Sequence, residues 1–357
     1  MKILLAAPGH LRTLPMRGFV AAALRRLGHR VTCFDCAPRW GDKVRGALPG
    51  GGGSAPAMNA RLCRIAAAER PDLFLTLFGF DVEAASLRAL GRLGIPTACW
   101  WLNDPFQLSR SLRQAGGYDF YFTNARGCLP EYRAAGVDGA HFLPLAADRD
   151  VHRPQALQRA ETRRYESDVC FAGDWSPLRE EWVRKLLPDY RVRVWGPWGK
   201  KLAPDSAVRG VLTDGFFAPA EMVRAFAGAK VVLNLHTWFG QWPYGVNPRL
   251  FEAAGAGACQ LVDAKAEIPD LYDVPGEVAC FTSFETCKRL IAHYLAREEE
   301  RRAVGARAAE RTRREHTYDH RMRTLLAIVG GGQEDSRETG DNERWGTDHG
   351  PTGGCGR

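Results

Sequence analysis

An α/β architecture of two doubly wound parallel sheets is what this sequence predicts, on three observations. Short apolar runs alternate with helix-period segments along most of the chain, the pattern of strands covered on both faces by crossover helices. The series breaks once, at residues 146–166, and then starts again. A length of 357 residues also exceeds what one hydrophobic core usually organises.

The first series opens with the apolar strand Lys2–Ala7; Met16–Leu27 follows with helical spacing and Gly28 as a stop, and Arg30–Phe34 is a second strand, completing a βαβ unit. A helix near Met58–Glu69, strand Leu73–Leu77, helix Val82–Leu93, strands Pro96–Trp101 and Tyr118–Thr123 and a helix around Cys128–Ala135 continue it. Residues 146–166 lack periodicity, contain Pro154 and many charges, and read as a linker. The second series runs through strand Asp168–Ala172, helix Pro177–Leu187, strand Val192–Trp195, helix Pro219–Phe226, strand Lys230–Leu235, helix Pro248–Gly255 and strands Cys259–Val262 and Val278–Phe281. Helices at Glu285–Arg297 and beyond Glu298 finish it. The expected division is therefore a domain at 1–145, the linker, a second domain at 167–329, and a polar, Gly-rich tail at 330–357. That tail has too little apolar surface to order itself and is expected to be disordered and without catalytic function.

With 45% hydrophobic and 25% charged residues the composition is that of a globular protein. No apolar run reaches bilayer length, and the opening Met1–Ala7 is too short for a signal h-region and runs into Pro-Gly, so a cytoplasmic protein is expected. The ten cysteines are scattered and several lie in apolar runs, and Cys33-x-x-Cys36 has no second pair at zinc spacing. A net charge of +8 suits nucleic acid, an anionic membrane surface or anionic substrates. Nucleic acid is disfavoured, because no basic stripe is interleaved with stacking aromatics. Gly50-Gly51-Gly52-Gly53-Ser54 has no strand before it and reads as a surface loop rather than a phosphate loop.

The most informative stretch is Asn247-Pro248-Arg249-Leu250-Phe251-Glu252 with the small residues Ala253 to Ala258 behind it. Pro248 suits a first helical turn, where its missing N–H costs nothing. A helix starting there aims free N–H groups, the positive dipole end and an Arg at one point, as phosphate sites do, and a carboxylate beside it can bind a ribose diol. Gly173-Asp174-Trp175-Ser176-Pro177-Leu178-Arg179 likewise follows a buried strand and opens a helix; it is either a phosphate cradle clamped by Arg179 or a plain strand-to-helix turn.

These motifs, with Trp101-Leu102-Asn103-Asp104-Pro105, Tyr118 to Asn124, Phe142 to Asp148, Val169 to Gly173 and His316-Thr317-Tyr318 in the same order, resemble the group 1 glycosyltransferases of the GT-B fold, in particular the CgeB-like, spore-maturation type. The likeness spans roughly residues 1–329. It implies two Rossmann-like domains facing a central cleft, a metal-independent, hexosyltransferase-like activity, a nucleoside-diphosphate sugar as donor, a hydroxyl-bearing acceptor on the N-terminal domain, and no cofactor. Gly173, Arg179, Asn247, Arg249 and Glu252 become the expected donor ligands. Retaining relatives place two glutamates with seven residues between them beside the donor; Glu252 matches the second, but Tyr244, eight positions earlier, stands in the place of the first.

Three residues are candidates for acid–base chemistry. His10, in Pro8-Gly9-His10, follows the first strand, and Asp104 follows the strand ending Trp100-Trp101; each could deprotonate an acceptor hydroxyl, while Asp104 could equally cap a helix. His236, in Asn234-Leu235-His236-Thr237-Trp238, could contact the diphosphate, act as acid or base, or serve structurally. Trp238, Trp242 and Tyr244 could stack on a sugar, and Leu212 to Phe216 resembles the segment that packs on the nucleobase. Asp148-Arg149-Asp150 has D-x-D spacing but lies at the linker entry, so no metal site is expected. A nucleotide-sugar epimerase or hydrolase and a non-catalytic sugar-nucleotide or glycan-binding protein are the competing readings. A nicotinamide dehydrogenase is disfavoured because no Gly-x-Gly-x-x-Gly follows a strand.

Overall fold

The computed structural model describes residues 1–8, 15–37 and 55–331. Two six-stranded sheets organise them. The first contains β1 (Lys2–Ala7), β2 (Arg30–Asp35), β3 (Leu73–Leu77), β4 (Thr97–Trp101), β5 (Phe120–Thr123) and β6 (Ala140–Phe142), in the order β2-β1-β3-β4-β5-β6, every pair parallel. The second contains β7 (Ser167–Ala172), β8 (Val192–Gly196), β9 (Leu212–Asp214), β10 (Ala229–Asn234), β11 (Gln260–Asp263) and β12 (Ala279–Phe281), in the order β12-β11-β10-β7-β8-β9, again all parallel. The central strands β3 and β4 are buried at every residue, as a sheet covered on both faces requires. Strand order reverses between β1 and β3 and between β7 and β10, so each sheet has a switch point at its carboxyl edge, where ligands of open α/β sheets bind.

Helices α1 (Met16–Arg26), α2 (Ala55–Glu69), α3 (Ala84–Arg92), α4 (Leu108–Ala115) and α5 (Leu129–Ala134) belong to the first series. The second brings α6 (Arg159–Tyr165), α7 (Pro177–Leu186), α8 (Pro219–Ala227), α9 (Pro248–Gly255), α10 (Ile268–Leu271), α11 (Phe284–Ala296), α12 (Glu298–Glu315) and α13 (Tyr318–Val329). Five elements escape the periodicity reading, among them the three-residue β9 and the four-residue α10. The α4 helix is eight residues long and fully buries only Ser111 and Ala115, with Leu108 and Leu112 half-buried against the same core, so its apolar stripe is too short to stand out. The β6 strand is three residues long, and α6 inside the expected linker buries only Tyr165 and is started by a Gln158–Glu161 capping box.

The last helix crosses back, so the expected single unit at 167–329 is divided at its end. Tyr318, Met322 and Leu325 of α13 are buried in the first domain's core, with the Tyr318 ring 5.6 Å from Phe19 and 6.2 Å from Trp100. Arg26 of α1 grips Asp319 with two nitrogens, at 3.0 and 2.6 Å. The crossing is sealed by a parallel bridge between Ala147 and Thr317, in which Ala147 N–H donates to His316 and Tyr318 N–H donates to Ala147. His316 and the Ala146-Ala147-Asp148 run are thus the two strands of the hinge.

A second joint lies on the other side of the cleft. Gly245, at φ 80°, packs where a Cβ would stand 2.5 Å from Pro105, and its N–H donates to both oxygens of buried Glu267 at 2.9 Å. Tyr244 lies against Gly127 and donates to Glu131 at 3.4 Å. The first domain's apolar cluster continues through Val246, Leu250, Phe251 and Ala254, so the interface is a packed core. No helix among the described residues is long and apolar enough to cross a membrane, and the nine described cysteines are free.

Candidate functional site

Between the domains lies a cavity of about 470 Å³. Its C-domain wall is built from the carboxyl ends of β7, β8 and β10 and the start of α9; its N-domain wall includes Leu102, Asn103, Phe106 and Gln107 from the turn after β4. The cavity therefore sits at the second sheet's switch point.

The start of α9 forms one corner of the cavity. Asn247 caps it, its side-chain oxygen accepting from Leu250 N–H at 3.2 Å, and Pro248 fills the first turn. The Asn247 amide also exchanges hydrogen bonds with Asn234 at 2.7 and 3.1 Å, and Asn234 continues to Gln260 at 2.8 Å. Behind the helix, Gly255 lets the hinge approach so closely that a Cβ would lie 2.8 Å from the His152 carbonyl. The small-residue run thus fastens the helix to the hinge, which holds the positive dipole end in the cavity wall.

Arg249 and Glu252 point into this corner. Arg249 Nη1 donates to Glu252 Oε2 at 2.6 Å, its Nε reaches the Ala172 carbonyl at 3.3 Å, and the guanidinium lies 5.0 Å over the Phe226 ring. Glu252's other oxygen faces His152 Nε2 at 4.0 Å. His152 Nδ1 accepts the Asp148 N–H at 2.8 Å, so the ring proton sits on Nε2, toward the carboxylate. Burial lowers the His152 pKa, which keeps the ring neutral. His152 was not singled out from sequence; it lies in the expected linker, where no pattern marks it.

Gly173 lines the cavity directly after β7, and its carbonyl accepts from Trp198 Nε1 at 2.8 Å. Arg179 also lines it, but most of its guanidinium is engaged. Nε and Nη2 donate to Leu235 O at 3.0 and 2.6 Å and Nη1 donates to Asp174 O at 2.9 Å. Burial lowers its pKa to about 10, which leaves it charged at neutral pH. Arg179 is therefore first a clamp on the loops after β7 and β10, with its remaining N–H groups at the cavity wall.

The three acid–base candidates fare differently. His236 is fully buried: its Nε2 accepts the Asn247 N–H at 3.0 Å and its Nδ1 donates to Asp263 at 2.7 Å. Burial lowers its pKa. Burial opposes the charge of Asp263, yet the His236 ring and N–H and Lys265, at 3.1 Å, hold its carboxyl below its usual range. With both ring nitrogens occupied, the expected catalytic His236 becomes a support for the α9 cap. Asp104 is also displaced from its expected role. Its side chain is buried inside the first domain, accepting from Thr123 Oγ1 at 2.6 Å and Tyr132 OH at 2.7 Å, while its backbone is clasped by the Asn124 amide at 3.0 Å each way. Burial, only partly offset by these hydrogen bonds, raises its pKa to about 6. The neighbouring Asn103 lines the cavity; Asp104 does not. His10 lies outside the described residues.

Tyr244 faces the N-domain joint and is absent from the cavity wall, so no carboxylate enters from that position. Trp238 does line the cavity, its ring 4.8 Å from His236. Asp148 Oδ1 accepts from the N–H groups of Asp150 and Val151, and both aspartates pair with Arg26. Among the described residues no group of three or more His, Cys, Asp or Glu is placed to hold a metal ion.

Residues 178–327 match a family model described as glycosyl transferase-like. No curated protein sequence matches the chain. Among solved structures, the chain is similar to HepE of Anabaena in complex with UDP and glucose, with 12% identity, a TM-score of 0.64, and 92% of this chain and 99% of that one covered. It is similar to sucrose-phosphate synthase of Thermosynechococcus elongatus, with 11% identity, a TM-score of 0.66 and coverage of 93% and 100%. A protein described as a putative UDP-N-acetylglucosamine 2-epimerase, from Listeria monocytogenes, is similar at 13% identity, a TM-score of 0.58 and coverage of 92% and 96%. The fold is GT-B, two Rossmann-like domains across a cleft.

Proposed function

We propose that this GT-B chain, with its glycosyl transferase-like region, transfers a sugar from a nucleoside-diphosphate donor to a hydroxyl acceptor, in the manner of a CgeB-like enzyme. One observation carries the reading: the Asn247-capped N-terminus of α9 opens into the interdomain cavity with Arg249 and Glu252 beside it. Diphosphate at the helix start would meet the dipole end and the Arg249 guanidinium. Glu252, oriented by Arg249 and His152, would take the ribose diol. In the transfer, the acceptor oxygen bonds to the sugar's anomeric carbon as the bond from that carbon to the diphosphate breaks. Charge then develops on the leaving diphosphate, where the helix end and Arg249 stabilise it. Closure of the two domains over the donor would exclude water, the competing nucleophile. HepE, whose structure holds UDP and glucose, supports a uridine donor as the first to test.

Metal independence belongs to the proposal, because a helix end and an arginine can neutralise the leaving group and the D-x-D carboxylates are engaged with Arg26. A cytoplasmic location belongs to the same proposal. Peripheral contact with an anionic membrane is supported by a groove of about 740 Å³ at the hinge, lined by Arg149, Arg153, Arg313, Arg314 and Arg323 against two carboxylates, Asp150 and Asp319. Tyr244, turned away from the cavity, favours a second reading in which the donor is bound and epimerised, hydrolysed or merely held.

A thermal-shift series with UDP, dTDP, GDP and ADP and their hexose conjugates tests the donor site. One nucleotide should raise the melting temperature in proportion to the logarithm of its concentration over its dissociation constant, and the conjugate should then turn over with acceptor in EDTA. No shift with any nucleotide would remove the reading. Free or epimerised sugar without acceptor would select the alternative, and activity lost in EDTA but restored by manganese would overturn metal independence.

A further inference from the structure

Few large hydrophobic side chains among the described residues are exposed. Among the described residues only Met1, Phe106, Phe216 and Val274 are exposed, and the two phenylalanines, at 56% and 65%, line the same cavity from opposite domains. Two bare aromatic rings on one cavity are a ligand surface, since neither gains the burial that would explain it. Phe216 stands beside Phe217, Trp195 and Met222 on the donor domain, an apolar end suited to a planar base. Phe106 is on the other wall, with neither role assigned.

We propose that Phe106, with Asn103 and Gln107, is the platform for a neutral pyranose acceptor, so that the acceptor of the transfer is itself a glycoside; this rests on the glycosyl-transfer reading above. A pyranose has an apolar face of C–H groups and a rim of hydroxyls. Phe106 offers a bare ring face, and the two amides flank it in the same wall. Their one side-chain hydrogen bond among the described residues is to each other, from Asn103 Nδ2 to Gln107 Oε1 at 3.4 Å, long enough to yield to hydroxyl partners. Leu102 and Pro15 also line this wall, and none of these five residues is charged, so among the described residues it offers no counter-ion to a phosphate or carboxylate acceptor.

The platform is held from beneath. Gln107 N–H donates to Asn103 O at 2.9 Å, Asn124 clasps Asp104 from both sides, and Pro105 is packed against Gly245 of the other domain. The buried Asp104 and the bare Phe106 are the two faces of one turn: the first anchors it, and the second is what it presents.

Saturation-transfer NMR on the full chain tests the proposal, with methyl β-D-glucopyranoside, methyl β-D-galactopyranoside and 1-butanol as probes, each with and without UDP. At least one glycoside should receive saturation, strongest on the C–H protons of one ring face. Phe106→Ala should weaken its affinity about threefold to tenfold, the scale of one aromatic contact, and Phe106→Trp should restore it. Asn103→Ala should weaken the glycoside as well, and calorimetry should find nucleotide affinity within twofold of the parent in all three variants. Phe106 is exposed, so its replacement leaves the fold intact, and circular dichroism checks this. Absence of contact with either glycoside, a glycoside signal indifferent to Phe106→Ala, or butanol showing the same dependence on Phe106 would each overturn the proposal. Loss of nucleotide affinity in Phe106→Ala would also overturn it and reassign the ring to the donor. Failure of the donor reading is distinct: the parent would bind none of the four nucleoside diphosphates, whatever the glycosides do.

Discussion

Asn103-Asp104-Pro105 after β4 and Asn247-Pro248-Arg249 at the start of α9 are similar as text, a polar residue set beside a proline where a sheet meets the cleft. The fold uses them in opposite ways. The Asp104 carboxylate turns inward because Thr123 and Tyr132 are waiting with hydroxyl donors. Arg249 and Glu252 have chiefly each other, the Ala172 carbonyl and the approach of His152, and both line the cavity. A polar group at a strand's end serves a ligand when the neighbouring strands have not already supplied its partners. His236 makes the same point within the donor domain: the Asn247 N–H and Asp263 consume both its nitrogens.

If that contrast is right, substitutions at the α9 corner weigh most on the donor. Arg249→Ala and Glu252→Ala should each cost roughly 1.5–3 kcal/mol of nucleotide affinity, about one to two decades, through loss of a charge-assisted bond. Calorimetry with the nucleotide of largest thermal shift measures this, and unchanged affinity in both variants would dissolve the site. Glu252→Ala also frees Arg249 from its 2.6 Å partner, so the double variant should lose less than the sum of the two.

His152 should show an intermediate effect, because it acts on the ligand through Glu252. His152→Ala should weaken nucleotide binding by about threefold to tenfold, on the order of 1 kcal/mol. His152→Gln, which keeps an N–H to aim at the carboxylate, should retain most of the affinity. In the Glu252→Ala background, His152→Ala should add almost nothing. A full additional loss there would show that His152 touches the ligand itself and that the positioning role assigned to it is mistaken.

Much of this organisation was legible because it is written in local periodicity. Strands such as Leu73–Leu77 are apolar but for Thr76, and the α9 start combines a cap, a proline and a small-residue run in adjacent positions. Local pattern cannot say which way a side chain turns. Asp104 and His236 were displaced from their expected chemistry by partners 19 and 27 residues away in sequence, Thr123 and Asp263. Phe106 gives no signal at all, since exposure of an aromatic is decided by what fails to cover it. The return of α13 to the first domain is equally non-local: Tyr318, Met322 and Leu325 pack into the first core, and the Arg26–Asp319 pair beside them spans 293 residues.

The smallest effect on turnover should come from Asp104, and it gives the contrast its sharpest test. Asp104→Asn keeps an oxygen to accept from Thr123 and Tyr132, so acceptor turnover should stay within about threefold of the parent, against the two to four decades expected for loss of a general base. Stability should change with a definite sign. The carboxyl titrates at 3.8 in the reference state and about 6 in the folded one, so between these values the folded chain holds a proton that the unfolded chain has released. The Asp104 contribution therefore falls as pH rises through that window and remains unfavourable above it, by on the order of 2–3 kcal/mol at full ionisation. Asn carries no such penalty. Urea unfolding of the variant relative to the parent should thus improve steadily from pH 4 to about 6.5 and then level off. A difference that is flat with pH, joined to a collapse of turnover, would return Asp104 to the cleft as the base and erase the distinction between the two strand ends.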